Sequence, residues 1–297
     1  MTKAIKTYTP GLLCLAVMGL AACGGGGGGS TSGSDLSPTG SSAAPSPAPG
    51  VTPVPPILSA ASSSSGCFNL DLKFTAGTKS KIQYITEAQV GVSATKNVTY
   101  QIDESTAVGD VSLSGETVFR TDGKLTGYGA APSKYASTGV TVDYSVRTGP
   151  TTVKTLRTES TGTGTDEFGN PFSASTVNVF GPAGEVFAWE GMAVGASIEQ
   201  VSQGTSTQTY SPPGTTTTKS FDDTAVVKFV GIENVTVPAG TYETCLYERF
   251  EKVSPATVTR IWIIRGAGLS VKSTLSVSGV PYVIMQATSV ELNGKKL

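Results

Sequence analysis

Residues 67–297 predict an all-β domain, antiparallel and built as a sandwich or barrel, and three observations carry that expectation. Apolar residues recur at every second position, as they do where a strand buries one face. Turn residues interrupt those runs at short intervals, and short connections imply antiparallel neighbours. No stretch of a dozen residues keeps the 3.6-residue period of an amphipathic helix. Sandwiches and barrels run to about 200–250 residues around one core, so a single domain suffices.

Taken in order, Phe68, Leu70, Leu72 and Phe74 alternate with Asn69, Asp71 and Lys73 and predict a first strand. Asp122-Gly123 carries the chemistry of a tight hairpin turn. Val140, Val142, Tyr144 and Val146 alternate with Thr141, Asp143 and Ser145 and predict another strand. The best helical candidate, residues 192–201, is short and interrupted by Gly195. Residues 203–219 are mostly Thr, Ser, Pro and Gly, the composition of an exposed loop or hairpin tip. Pro238-Ala239-Gly240 is a turn, with proline where its fixed φ is wanted. Arg260-Ile261-Trp262-Ile263-Ile264 reads as a buried strand. Leu269, Val271, Leu275 and Val277, then Val280, Tyr282, Ile284, Val290 and Leu292, predict a hairpin about Ser278-Gly279. There is no convincing internal repeat.

The N-terminus carries an address. Lys3 and Lys6 precede an apolar run from Leu12 to Leu20, which ends in Leu20-Ala21-Ala22-Cys23, the layout of a signal peptide over residues 1–22. The run falls short of the about 20 residues needed to cross a bilayer. Leu20-Ala21-Ala22-Cys23 resembles the lipobox of bacterial lipoproteins. That resemblance implies cleavage before Cys23, a diacylglycerol on its sulfur and a further acyl chain on its amino group, so the first partner expected is a membrane, held through the lipid anchor. Two or more chains anchor a protein stably where one does so marginally. Gly24 stands where an aspartate would retain such a protein at the inner membrane, so the outer membrane is expected, with the face left open. The glycines of residues 24–29 resemble the stalks of some surface-exposed lipoproteins. Residues 23–66 are mostly Gly, Ser, Ala, Thr and Pro with Asp35 the single charge, too little apolar surface to fold, and predict a disordered tether. Such a chain spans about 36 Å, and its prolines extend it further.

Cys14 leaves with the signal peptide and Cys23 is taken by lipid, which leaves Cys67 and Cys245 in an oxidising compartment. A disulfide between them is the economical reading, with two free buried thiols as its alternative. The chain has no histidine, which excludes Ser-His-Asp and Cys-His catalysis, two-histidine zinc motifs and the usual near-neutral base. Two remaining cysteines make no zinc cluster, and no cofactor is implied. Acidic residues outnumber basic ones, 22 to 21, so the footprint of a nucleic-acid partner is absent. Carboxylate-based glycosidase chemistry survives these exclusions. Asp103-Glu104, Asp166-Glu167 and Asp222-Asp223 are its candidate pairs, although residues 166–171 suit a hairpin loop better than a calcium loop. Asp222-Asp223 suits a solvated strand end. Trp189 and Trp262 suit the core better than a ligand pocket.

Glu233-Asn234-Val235-Thr236-Val237-Pro238-Ala239-Gly240-Thr241-Tyr242-Glu243-Thr244-Cys245, then Trp262, then Gly266-Ala267-Gly268-Leu269-Ser270-Val271-Lys272, resemble patterns in uncharacterised bacterial envelope domains. The resemblance covers residues 186–290 and implies a strongly curved antiparallel sheet, an open barrel, with no catalytic residue. Ile263-Ile264-Arg265 departs from it where an aromatic and small residues are commoner, and residues 67–185 lie outside it. The expectation from all of this is a noncatalytic, lipid-anchored envelope domain whose concave face takes an apolar ligand, such as a lipid, or an envelope protein. A surface structural or adhesive lipoprotein is the alternative, and a carboxylate-based glycan enzyme a third.

Overall fold

A computed structural model describes residues 63–89, 96–212 and 214–297. The expected signal peptide, Cys23 and residues 24–62 of the expected tether lie outside these. One short helix, α1 (Leu70–Lys73), precedes fourteen strands. The first seven are β1 (Lys79–Gln89), β2 (Lys96–Leu113), β3 (Glu116–Gly129), β4 (Ala136–Arg147), β5 (Val153–Thr165), β6 (Pro171–Phe180) and β7 (Glu185–Phe187). The rest are β8 (Ser197–Ser211), β9 (Thr215–Val237), β10 (Gly240–Glu251), β11 (Ser254–Ile264), β12 (Ser270–Val277), β13 (Val280–Leu292) and β14 (Lys295–Lys296).

The fold is all-β, as alternation predicts. Each strand pairs antiparallel with the next, apart from the short β7, which pairs with β5 in place of β6. β1 returns to pair with β13, so twelve strands close into an up-and-down barrel. Register fixes the inside. Lys81, Glu104 and Lys124 lie in a row and form ion pairs at the surface, whereas the neighbouring Ile82 and Asp103 are opposite each other and buried. A period-two strand must send adjacent residues to opposite faces.

The barrel has two unlike ends. Ser63, the helix α1, and the turns after β9 and β11 gather at one end, here the base. Two apolar clusters fill it. One joins Cys67, Val153, Phe187, Trp189 and Met192 to Val227, Phe229, Ile232, Cys245, Tyr247 and Ile263. The other joins Ile82, Tyr84, Met285, Ala287 and Val290 to Val235, Val237, Leu246, Trp262, Ile264 and Val271. Adjacent residues of β10 and β11 enter different clusters, so these strands are covered on both faces. That accounts for the unbroken apolar run at 261–264. Ala239, in the predicted Pro238 turn, donates its N–H to the carbonyl of Ala287 and holds that hairpin against β13.

Sequence and structure part company in four places. Residues 68–74 form α1 and its flanks instead of a strand: Asn69 accepts from the Leu72 N–H as an N-cap, which helical geometry rewards. Asp122-Gly123 lies inside β3, and the real turn is Ser114-Gly115 between β2 and β3. Residues 192–201 hold a turn and the start of β8, with no helix. The folded part begins by Ser63, since Ser64 is fully buried. Residues 203–219 do form a hairpin, and both its strands belong to the wall.

Two glycines let this wall bend. Gly164 faces Phe172 and Gly204 faces Phe221 across the ladder, and each ring sits 3.0 Å from where a glycine Cβ would be. Aromatic cover of a strand glycine is a known device of curved sheets. A Cβ on Gly204 would also stand 2.1 Å from the Val179 carbonyl oxygen. Gly204→Ala is therefore expected to cost about 1–3 kcal/mol, read as a lower urea midpoint; an unchanged midpoint would remove the argument for this bend.

Candidate functional site

The base is closed by the chain's own N-terminal segment. Cys67 and Cys245 form a disulfide with Cα atoms 5.8 Å apart, within the range such bonds require. Around it, Ser64 donates its hydroxyl to the Trp189 carbonyl at 2.7 Å and accepts from the Met192 N–H at 2.7 Å. One carboxylate, Glu190, accepts from the N–H groups of both Gly66 and Phe68. Phe68 packs edge-on to Trp189 and tilted against Tyr247. Asp71 pairs with Arg147, and Phe74 meets Phe119 on the inner wall. The space left between Phe68, Leu70, Val153, Phe187 and Trp189 is about 40 Å³, room for a water or two and not for an acyl chain.

Above this seal the inner wall turns polar. Asp103, Asp143, Ser145, Thr155, Thr158 and Ser206 all face inward, by register with Ile82 or with one another. Lys73 projects from α1 toward Asp143 and keeps an exposed surface. Enclosure by the wall lowers the Lys73 pKa, an effect that Asp143 opposes. Desolvation raises the Asp143 carboxyl to about 6, against the pull of Lys73. Asp103 is likewise raised to about 6 by desolvation, opposed by a hydrogen bond from Gln101. Its Oδ2 has no hydrogen-bond partner among the described residues. Lower down, Glu185 is fully buried and accepts from Gln200 and Ser202, while Trp189 donates to Gln200 at 3.1 Å.

The acidic pairs singled out in the sequence do not converge. Asp103 points inward while Glu104 joins Lys81 on the surface. Asp166 closes its own hairpin loop, accepting from the N–H groups of Phe168 and Asn170. Asp222 and Asp223 lie within β9, on opposite faces, and Asp222 accepts from Gln203. Trp189 and Trp262 are core residues, 2% and 7% exposed. Among the described residues no three acidic or cysteine side chains gather as metal ligands, and no helix is long and apolar enough to cross a membrane.

The outer wall and the far end remain. A shallow groove of about 390 Å³ runs over β4, β5 and β6 above Thr138, Val140, Thr161, Thr163, Ser173 and Ser175. At the end opposite the base, Phe168 is 72% exposed at the β5–β6 tip, Val253 95% at the β10–β11 tip and Val280 62% at the β12–β13 tip. Sequence reading missed these, since isolated valines beside turns look like strand ends. Fold and site together define a closed twelve-stranded barrel with a disulfide-held internal segment at one end and apolar tips at the other. No protein-family model, curated protein or solved structure matches the chain.

Two expectations follow from this chemistry. A carboxyl with a raised folded-state pKa favours folding in its protonated form, so the Asp103 contribution is complete below about pH 4 and lost as pH rises through about 6. Asp103→Asn, which keeps an acceptor for Gln101, is expected to be more stable than the parent at pH 8 by about 1–3 kcal/mol and equal to it near pH 3; a pH-independent difference in urea midpoint would contradict this. Cys245→Ser should lower stability by up to about 5 kcal/mol by the chain-entropy argument and loosen the base, measured as faster backbone exchange at Ser64 to Phe74. Unchanged exchange there would show that packing alone holds the segment.

Proposed function

We propose that the chain is a noncatalytic binding module of the bacterial envelope, anchored to the outer membrane through lipid on Cys23 and presenting the far end of its barrel to a protein partner. One observation carries this reading. The N-terminal segment enters the barrel at the sealed base, while Phe168, Val253 and Val280 are exposed at separate hairpin tips toward the opposite end. Anchor and contact surface are thus separated by the length of the barrel, the arrangement a presented binding head needs. An internal apolar ligand gains no support, because the apolar part of the interior is occupied by the chain's own residues. A glycan-cleaving role gains none either, since it needs two carboxylates about 5–9.5 Å apart across one cleft.

Fractionation tests the anchor: the parent should be recovered with membranes and Cys23→Ser in the soluble fraction. Equal partitioning of the two would overturn lipid attachment. Native mass spectrometry of residues 63–297 should give a bare protein mass, and a tightly held, solvent-extractable lipid would return the internal-ligand reading.

A further inference from the structure

We infer that the upper edge of β9, residues 215–223, accepts an extended strand from the partner protein. This rests on the binding reading above and names the contact that reading leaves open. β9 has 23 residues and β10 has 12. On one side β8 accompanies β9 all the way to Tyr210 opposite Thr215. On the other, β10 leaves at Glu251 opposite Ala225. Among the described residues nothing pairs with that side beyond the single bond from the Lys252 N–H to the Thr224 carbonyl.

That bond fixes which groups are offered. Alternate residues of a strand turn both backbone groups to the same side. Thr224 faces the open side, so Thr216, Thr218, Ser220 and Asp222 face it as well, and no register shift interrupts the β8–β9 ladder between them. Their side chains are exposed. The barrel is therefore closed at its base and notched above the short hairpins of β10–β13. Val253, 95% exposed, stands on the sill at the foot of the open edge. Strand addition to such an edge takes its affinity from the main chain and its selectivity from alternate side chains.

Charge selects the occupant. A second copy pairing antiparallel over residues 215–223 would set Lys219 against Lys219, and like charges directly opposite are destabilising. A foreign strand avoids this with an acidic residue at its centre. Running antiparallel, it meets Asp223, Asp222 and Val253 with its N-terminal end, which calls for a basic residue and an apolar one there. Nine residues cover about 30 Å of edge. Small hydroxyl or β-branched side chains suit the positions beside Thr216 and Thr218, which already bond across to Thr209 and Thr207 at 2.9 Å.

The test is a random nine-residue peptide library displayed on phage and panned against the purified protein, with retained sequences resynthesised and titrated by fluorescence anisotropy. Retained peptides should carry a central Asp or Glu. Ser220→Pro removes an outward N–H and leaves the β8 ladder intact, as proline on an edge strand does; binding should fall at least about tenfold. Lys219→Glu should weaken binding by roughly three- to thirtyfold, and peptides with Lys at the centre should restore it. The inference is overturned if no peptide is retained, if binding ignores both substitutions, or if the Thr216, Thr218, Ser220 and Asp222 amides are already protected from exchange in the free protein. None of these outcomes bears on membrane partitioning, so failure here is separable from failure of the anchored-module reading.

Discussion

The β1–β13 ladder joins residues about 200 apart in sequence, from Ser80 opposite Leu292 to Ala88 opposite Val283. A meander of twelve strands without it would be an open sheet with two long free edges, the condition that proteins otherwise blunt or cover. Its inner side is the most deeply buried part of the second cluster: Ile82, Met285, Ala287 and Val290 have no exposure at all. Tyr84 reaches from the same ladder to donate to the Ser270 carbonyl at 2.7 Å and ties β1 to β12 across the base. Asn293 finishes the seam, its side chain accepting from the Lys79 N–H while its own N–H bonds to the Lys79 carbonyl. Closing so distant a pair costs loop entropy before any contact is gained, and a meander of local hairpins keeps that cost to one event.

Strand periodicity was plain in the sequence wherever one face meets water and the other the interior. Residues 140–146 and the hairpin about Ser278-Gly279 were legible as strands but with their faces reversed in part: Asp143 and Ser145 point inward while Val140 is exposed, and Val283 and Met285 are buried while Val280 and Tyr282 are exposed. The Pro238 turn needed only local chemistry. The misreadings have local causes too. Residues 68–74 alternate because the segment caps the base, with Phe68, Leu70, Leu72 and Phe74 half-buried and Asn69, Asp71 and Lys73 exposed, and Asn69 then tips the backbone into a turn of helix. Asp122-Gly123 has the chemistry of a turn, but Gly123 is needed inside β3, where a Cβ would meet the Thr141 hydroxyl at 2.2 Å. Closure into a barrel could not be read from residues that specify only their own pairing. The pairing of Cys67 with Cys245 could, by elimination, because so few thiols remained.

The candidate surface was the least legible part. Residues 203–219 looked like a loop because Thr, Ser and Pro dominate there, and the same composition serves an exposed β-ribbon whose neighbours on one side stop short. A free edge is a property of relative strand length. It emerges when β9 outruns β10 by many residues, which no single segment reveals. The polar lumen is similar: Asp103 stands in an acidic pair and Asp143 between apolar residues in the sequence, and register alone places them inside, where desolvation raises both carboxyls.

The position of the disulfide has a mechanical consequence. A pull on the chain upstream of Ser63 meets Cys67 within a few residues and passes covalently into β10, at the doubly covered centre of the base. The 178-residue separation between the two cysteines is thereby taken out of the load path from Ser63 to the C-terminus. A pull on the N-terminal segment therefore does not unzip strands β1 to β9 from their first residue. The barrel is in this sense hung from its middle, and force applied upstream of Ser63 is resisted by a bond and a packed core instead of by the first strand of the sheet.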